Sequence, residues 1–253
     1  MTLSLFRISI AATLSCCLIT ASATPLDHPV TRYKFDLPPS ADLSYAIQAQ
    51  QSGLSINGEG LVKWQAADKH FSVSSETRAM LVGKILEATS QGGIDDYGLA
   101  PTQFINKRFR KDPTTTSFNR DTGTISFSQS SESYPIKGGE QDRTSVIWQL
   151  IAVARAAPRQ FKAGSEWVFF VAGQRDAEPW TFKVIKKEKI STSLGELETV
   201  HIFKSPPPDA KDQQLDIWLA PSLEWYPVRL RFTDPNNDFI EQTLRQVSNK
   251  AAK

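Results

Sequence analysis

Three histidines are the first side chains to weigh for chemistry, because an imidazole acts as a general base, a general acid or a metal ligand near neutral pH. His28 lies in a proline-rich stretch, His70 follows Lys69, and His201 follows Val200 in an apolar run. No two histidines are close in the sequence, and none has the short spacing to another histidine or a glutamate that is typical of zinc sites. The pattern therefore predicts no catalytic base, no metal site and no cofactor.

The serine and glycine motifs lack the spacing of hydrolase and nucleotide sites. Ser165 follows Gly164, but the second glycine of the nucleophile turn Gly-x-Ser-x-Gly is absent. Several glycine stretches resemble phosphate-binding loops but match neither glycine fingerprint. These stretches are Gly58-Glu59-Gly60, Gly83-Lys84 and Gly138-Gly139-Glu140. We interpret them, like Gly92-Gly93, as turns.

Paired carboxylates could still make a glycosidase, since that chemistry needs only two of them in a cleft. Asp95 and Asp96 are adjacent, and adjacent side chains point apart unless the chain turns. Glu166, Glu178 and Asp216 fall on separate predicted strands. The sequence brings no pair together, so hydrolysis is the third of three functional hypotheses.

Two basic runs have two interpretations each. The runs are Lys107-Arg108-Phe109-Arg110-Lys111 and the lysines from Lys183 to Lys189. Their cations could contact lipid phosphates or lipopolysaccharide. Alternatively, lysines protect the edges of a sheet against aggregation, and the near-zero net charge favours this second interpretation.

The first 23 residues have the order of a secretory signal peptide. Arg7 gives the positive start, Ile8 to Thr20 is an apolar run too short to span a bilayer, and Ala21-Ser22-Ala23 is a small-x-small cleavage site. We expect cleavage after Ala23, so that the mature chain begins at Thr24 in the periplasm.

Both cysteines, Cys16 and Cys17, lie inside this predicted signal peptide. The mature chain would then contain no disulfide and no thiol nucleophile. Leu14-Ser15-Cys16-Cys17 leaves a less favoured alternative, in which one cysteine is acylated and the protein is a lipoprotein.

The mature chain has almost no net charge and no further apolar run of transmembrane length. Without Arg7 there are 28 basic and 27 acidic side chains, a net charge of +1. This balance predicts no nucleic-acid partner and no general attraction to anionic membrane.

Most of the remaining sequence alternates with a period of two, as half-buried strands do. Leu43, Tyr45 and Ile47 give one example, and Val228 and Leu230 belong to another. So many one-sided strands must curl or fold over to hide their apolar faces. We predict a mainly β fold: a curved antiparallel sheet, half-barrel or barrel-like, with one main α-helix. The five tryptophans of the C-terminal half are expected in the core or in a cavity wall; they are Trp148, Trp167, Trp180, Trp218 and Trp225.

The helix is predicted between Asp142 and Pro158. Its apolar stripe has helical spacing and comprises Val146, Ile147, Leu150, Ile151 and Ala154. The predicted organisation is a signal peptide (1–23), an extended proline-rich arm (24–40), a single β-rich domain (41–248) and a polar tail (249–253).

The order of motifs in the C-terminal half resembles a known family. The motifs are Asp142-Arg143-Thr144-Ser145, the helix end at Pro158, Phe161-x-x-Gly164, paired strands around Gly173 and Gly195, and Trp218 followed by Trp225-Tyr226-Pro227-Val228-Arg229. Across residues 40 to 247 the pattern is similar to bacterial exported proteins of domain-of-unknown-function family 3108. The resemblance implies an envelope location and a curved antiparallel sheet, and it implies no catalytic residue. The plan is also similar to periplasmic lipoprotein carriers and lipid-binding half-barrels.

Three functions follow as hypotheses. The first is a non-enzymatic envelope protein that binds an apolar or lipid-like ligand inside the curled sheet, with ligand-binding residues that the sequence does not identify. The second is an interaction or assembly module with a solid core, whose arm and loop Pro206-Pro207-Pro208-Asp209 contact another envelope protein. The third is the hydrolase.

Overall fold

The computed structural model describes residues 28, 30–80, 82–205 and 214–249. The predicted signal peptide, the triproline loop and most of the predicted polar tail lie outside the described residues. The domain boundaries and the cleavage after Ala23 therefore stay predictions.

The described strands form one sheet of fifteen strands. Along the sheet the order is β8-β7-β6-β5-β4-β3-β2-β1-β15-β14-β13-β12-β11-β10-β9. Neighbouring strands are antiparallel except β9 and β10, which are parallel. The first half consists of β1 (Ala41–Gln51), β2 (Leu54–Ala67), β3 (His70–Ala79), β4 (Gly83–Asp95), β5 (Gly98–Arg108), β6 (Thr114–Asn119), β7 (Thr124–Phe127) and β8 (Ser130–Pro135).

The second half returns to the first through the pairing of β15 with β1, where Tyr45 lies opposite Leu244. This half begins with the helix α1 (Ser145–Ala156) between its first two strands. Its strands are β9 (Gln141–Asp142), β10 (Glu166–Ala172), β11 (Ala177–Thr192), β12 (Gly195–Lys204), β13 (Gln214–Leu219), β14 (Pro227–Thr233) and β15 (Phe239–Asn249). A 3-10 turn at Pro221–Leu223 joins β13 to β14.

The predicted fold class is confirmed: in the part of the chain that the structure describes, a single curved sheet, antiparallel except for β9 and β10, surrounds one α-helix. Nearly every residue of α1 is buried, and the rings of Trp148 on α1 and Trp64 on β2 stack with centroids 4.4 Å apart. The helix thus fills part of the interior rather than lying beside it. Among the described residues, no helix has the length and hydropathy needed to cross a membrane.

The two ends of the sheet meet through side chains rather than through a backbone ladder. Phe170 on β10 belongs to an apolar cluster that contains Phe104 on β5 and Phe118 on β6. The hydroxyl of Thr116 on β6 donates to the carbonyl of Gly173, just beyond β10, at 2.7 Å. This second core closes the curled sheet into a barrel-like shape, while the larger core surrounds α1.

The described part of the arm lies along α1 and β10. The amide of Asp36 donates to the carbonyl of Ala152 at 2.9 Å. Indole Nε1 of Trp64 donates to the carbonyl of Pro38 at 3.0 Å, and the hydroxyl of Tyr226 donates to the carbonyl of Pro39 at 2.6 Å. The arm is therefore fixed by hydrogen bonds from three parts of the core.

Two glycine stretches that we interpreted as turns lie inside strands. Gly58 and Gly60 are in β2, and Gly92 and Gly93 are in β4. A Cβ atom on Gly58 would lie 2.3 Å from the carbonyl oxygen of Arg78, and one on Gly92 would lie 2.2 Å from that of Ala100. Close approach of neighbouring strands therefore explains these two glycines, and chain reversal does not.

Candidate functional site

An apolar cleft lies on the concave face of the sheet, at the end that carries the β1/β2, β3/β4 and β14/β15 loops. We call this end the open end and the cleft the open-end cleft. Its volume is about 240 Å³, and no residue of α1 lines it. Its principal apolar side chains come from β1, β2, β4, β14 and β15: Ile47, Ala49, Ile56, Leu86, Phe232 and Ile240.

Small residues in neighbouring strands create the space. Ile47 on β1 pairs with Gly58 on β2, which pairs in turn with Ala79 on β3. Ala49, two residues further along β1, points to the same face as Ile47 and pairs with Ile240 on β15. Because Ala49 and Ala79 each carry only a Cβ, and Gly58 lets β3 approach β2 closely, little side-chain volume fills this part of the concave face.

Tyr45 precedes Ile47 on the inward face of β1, towards the core around α1. Its hydroxyl is fully buried and donates to the carbonyl of Pro227 at 2.9 Å. Burial raises the pKa of Tyr45, so the phenol stays neutral and remains a hydrogen-bond donor. Tyr45 therefore belongs to the core around α1, where its polar group is satisfied, and is not part of the cleft lining.

The lining fits burial of hydrocarbon better than acid–base chemistry. Among the described residues that line the open-end cleft there is no carboxylate or histidine, and the charged residue that borders it, Arg78, is paired with Glu76. Gln242 and Thr77 add amide and hydroxyl groups. The volume falls below the several hundred Å³ of drug-sized pockets, so the cleft suits one hydrocarbon chain rather than a bulky ring system.

Larger grooves lie elsewhere on the surface and are more polar at their edges. One, of about 510 Å³, runs between the arm and the end of α1 and is bordered by Arg32, Lys34 and Arg159. Another, of about 640 Å³, includes His70 and Arg120. Both are more open to solvent than the open-end cleft, so they hold a small ligand less completely.

The structure places His201 between two acidic side chains that we had not connected with it. Its Nε2 lies 2.6 Å from Oδ1 of Asp216, and its Nδ1 lies 3.4 Å from Oε1 of Glu188. The imidazole stacks on the indole of Trp218 with centroids 4.4 Å apart. The signal that could have found this group is the alternation of β12 and β13, which puts these polar side chains on the face opposite the core.

The carboxylate of Glu188 already has two donors other than His201, and that of Asp216 is held by His201 itself. Burial tends to raise the pKa of Glu188, but hydrogen bonds from Lys186 and from Nε1 of Trp218 hold it below its ordinary value. Among the described hydrogen bonds, none joins His201 to a serine, threonine or tyrosine hydroxyl. The arrangement therefore resembles a polar network on the convex face and lacks the nucleophile of a hydrolase.

The predicted carboxylate candidates are not brought together. Asp95 accepts a hydrogen bond from the amide of Tyr97, while Asp96 pairs with Arg32. Glu166 pairs with Lys183, and Glu178 accepts from Nε1 of Trp180. Each carboxylate has its own partner on a different part of the surface.

A buried polar cluster surrounds Asp142, the residue at which the sequence predicts the start of the helix. Asp142 accepts hydrogen bonds from the hydroxyl of Ser90 at 2.5 Å and from the amides of Thr144 and Ser145. Burial raises the pKa of Asp142 despite these three donors. The cluster joins β4 to the beginning of α1 and therefore has a structural role.

His28 lies in the same region. Its ring stacks on Phe170 with centroids 3.8 Å apart, and its Nε2 lies 3.5 Å from Oε1 of Glu140. Glu140 also accepts the amides of Lys137 and Gly138. We see here a packing contact between the arm and the second core. Within the described residues, no group of three histidine, cysteine or acidic side chains is placed to hold a metal ion.

The basic runs lie on strands inside the order of the sheet, but each extends past the neighbouring strand on one side. β10 pairs with β11 only as far as Lys183, and β6 pairs with β5 only as far as Asn106. Edge protection therefore stays an interpretation. β11, which carries Lys183 and Lys189, lies between β10 and β12, and these lysines pair with Glu166 and Glu198 on neighbouring strands. The other run begins in β5, between β4 and β6, and continues into the exposed β5/β6 loop.

Four of the five expected tryptophans are buried, as predicted: Trp148, Trp167, Trp180 and Trp225. Trp218 differs, because it lies on the convex face of β13 and is only partly buried. Its neighbours Ile217 and Leu219 take the inward positions of that strand.

The sequence profile of the proteins of unknown function DUF3108 matches residues 42–245 of the chain. The chain belongs to this family. The membership confirms the resemblance drawn from the motifs of the C-terminal half. No curated protein matches the chain.

The fold of this DUF3108 protein is similar to those of solved structures from other families. A beta-barrel-like protein of the DUF1849 domain of unknown function from Brucella abortus is 12% identical, with a TM-score of 0.58 over 86% of this chain and 100% of that one. A candidate exported protein with a YmcC-like fold from Bacteroides fragilis is 8% identical, with a TM-score of 0.37 over 87% and 100% of the two chains. The first likeness supports the barrel-like fold and carries no function.

Proposed function

We propose that this DUF3108 protein is a non-enzymatic binding protein of the cell envelope that holds one hydrocarbon chain of a lipid-like molecule in the open-end cleft. The observation that carries the proposal is an apolar hollow on the concave face that α1 does not fill. The small side chains of Ala49 and Ala79 in the lining give this hollow a cause in the sequence.

The energetics favour a modest, reversible site. Burying each methylene contributes about 0.8 kcal/mol, so a chain of about six buried methylenes gains about 5 kcal/mol. That gain must also offset the loss of translational and rotational freedom on binding. A ligand held in this way keeps its polar headgroup outside the cleft, beside the loops of the open end.

The location in the periplasm is part of the proposal and rests on the N-terminal sequence. The charge, apolar run and cleavage motif of residues 1–23 support export with cleavage after Ala23. Acylation at Cys16 or Cys17 is the alternative that the same segment allows.

The test is to express the full chain, purify it from the periplasmic fraction and analyse an organic extract of the denatured protein by mass spectrometry. We expect one class of acyl-containing molecule at a reproducible ratio to protein, and an intact mass that begins at Thr24. A matched preparation of Ala49→Phe should lose the ligand, because the new ring fills the cleft.

Ala46→Phe is the control, since Ala46 lies on the opposite face of the same strand. An extract without acyl molecules from the wild-type protein would contradict the proposal. That result would favour the assembly module, whose solid core is consistent with the stacked rings around α1.

A further inference from the structure

Four large apolar side chains are exposed on three loops of the open end. Leu54 lies at the β1/β2 turn, Met80 and Val82 in the β3/β4 turn, and Phe109 in the β5/β6 loop. The exposed fractions of these residues are 68%, 78%, 52% and 45%. We call these four residues the apolar rim. Grouped exposed apolar side chains mark interaction surfaces, whereas single ones do not.

Hydrogen bonds hold these loops beside one another. The amide of Met80 donates to the carbonyl of Asn57 at 3.2 Å, and the amide of Phe109 donates to that of Ile85 at 2.8 Å. Ile85 itself borders the open-end cleft. The residues of the apolar rim therefore lie on neighbouring loops at one end of the sheet, next to the mouth of the cleft.

Cations flank the rim on one side. Lys107, Arg108, Arg110 and Lys111 are exposed, and within the part of the chain that the structure describes none of them forms an ion pair. The guanidinium of Arg110 lies 4.9 Å from the ring centre of Phe109, which joins a cation to an apolar face. Asp112 is the acidic neighbour in this loop, and Lys84 in the next turn is paired with Glu76 and Glu87.

We infer that the open end docks on the surface of a bilayer that contains anionic phospholipid, with the apolar rim among the acyl chains and the β5/β6 cations against the phosphates. Interfacial binding needs this combination of buried apolar area and attraction to anionic headgroups. Each lysine or arginine near such a surface contributes about fivefold to partitioning. The chain's net charge is small, so the attraction comes from where its cations lie.

This inference goes beyond the proposed function, because docking does not require an occupied cleft. The protein would be sedimented with vesicles of phosphatidylglycerol and phosphatidylcholine, and with vesicles of phosphatidylcholine alone. We expect binding to the anionic vesicles, weakened by salt. The triple variant Arg108→Glu, Arg110→Glu, Lys111→Glu should bind at least about a hundredfold more weakly.

A matched triple variant has the same change of charge away from the open end: Lys69→Glu, Lys162→Glu, Lys187→Glu, all exposed positions. It should keep most of the binding. The double variant Leu54→Ser, Met80→Ser should weaken binding even at high salt. Ile185→Ser, Leu194→Ser, which removes two exposed apolar side chains elsewhere, should not.

Failure of the wild-type protein to bind anionic vesicles at low salt would overturn the inference. Equal losses in the two triple variants would also overturn it, because they would indicate a general effect of charge. Ala49→Phe separates the two proposals, because it should lose the acyl ligand and keep its binding to anionic vesicles. Wild-type protein that binds vesicles but carries no acyl ligand would reject the cleft ligand and leave docking in place.

Discussion

Asp142 shows what single polar residues do in this fold. It is fully buried, and three donors, the Ser90 hydroxyl and the amides of Thr144 and Ser145, surround its carboxylate. Burying a charge is costly unless it is hydrogen-bonded, and here the donors offset the cost only in part, since the pKa remains raised. The residue fixes the start of α1 against β4 at some expense in stability at neutral pH.

The raised pKa of Asp142 predicts the sign of a pH effect. The folded protein keeps this proton to higher pH than the unfolded chain, so stability falls as pH rises above the unfolded value of about 4, by up to about 1.4 kcal/mol per pH unit. Asn at this position stays neutral, accepts from the two amides and donates to Ser90. Urea unfolding at increasing pH should show that the free energy of unfolding of Asp142→Asn rises relative to that of the wild type.

The control is Asp121→Asn, which removes an exposed carboxylate from a hairpin turn. A stability difference between Asp142→Asn and wild type that stays constant over the acidic and neutral range would show that Asp142 does not titrate as described.

At the scale of elements, the arm protects an unpaired part of β10. β9 pairs with β10 only at Val171 and Ala172, so the rest of that edge has free backbone groups. The amide of Val168 donates to the hydroxyl of Tyr33 at 3.1 Å, and this hydroxyl donates to the carbonyl of the same residue at 3.3 Å. The Tyr33 hydroxyl thus satisfies both backbone groups of Val168, and this protects the edge of β10 against pairing with another strand.

Tyr33→Phe tests this role, because it keeps the ring contacts with Trp167 and Phe169 and removes only the hydroxyl. We expect faster hydrogen exchange of the Val168 amide and a loss of about 1 kcal/mol in the free energy of unfolding. Amides of β1, paired on both sides, serve as the internal reference. An unchanged exchange rate at Val168 would mean that the arm does not protect this edge.

Local patterns predicted most elements, and long-range pairing explains the exceptions. The alternation of Leu43, Tyr45 and Ile47 identifies β1, and the helical stripe that ends before Pro158 identifies α1. By contrast, the sequence pattern around Gly58 and Gly92 predicts turns, whereas both glycines lie inside strands. Their extended conformation depends on strands that pack closely beside them, which a local pattern does not reveal.

At the scale of the whole molecule, side chains fill the interior around α1, and a small cleft remains at the open end. The stack of Trp64 on Trp148 and the packing of Tyr226 against the same indole fill the space around α1. At the open end, Ala49 on β1 and Ala79 on β3 both line the cleft, and Gly58 on β2, between them, lets β3 approach closely. Their juxtaposition depends on the register of three strands, so the sequence alone could predict a curled sheet but could not place its hollow.

The most direct test of the proposed function is a titration of the mature protein with a fluorescent fatty acid, with wild type, Ala49→Phe and Ala46→Phe compared side by side. Ala49 lies in the open-end cleft, and Ala46 lies on the convex face of the same strand. We predict saturable binding to wild type and Ala46→Phe and at least about a tenfold weaker affinity for Ala49→Phe, since a ring in the cleft displaces about two buried methylenes or more. Equal affinity of all three proteins, or no saturable binding to any, would contradict the proposed function.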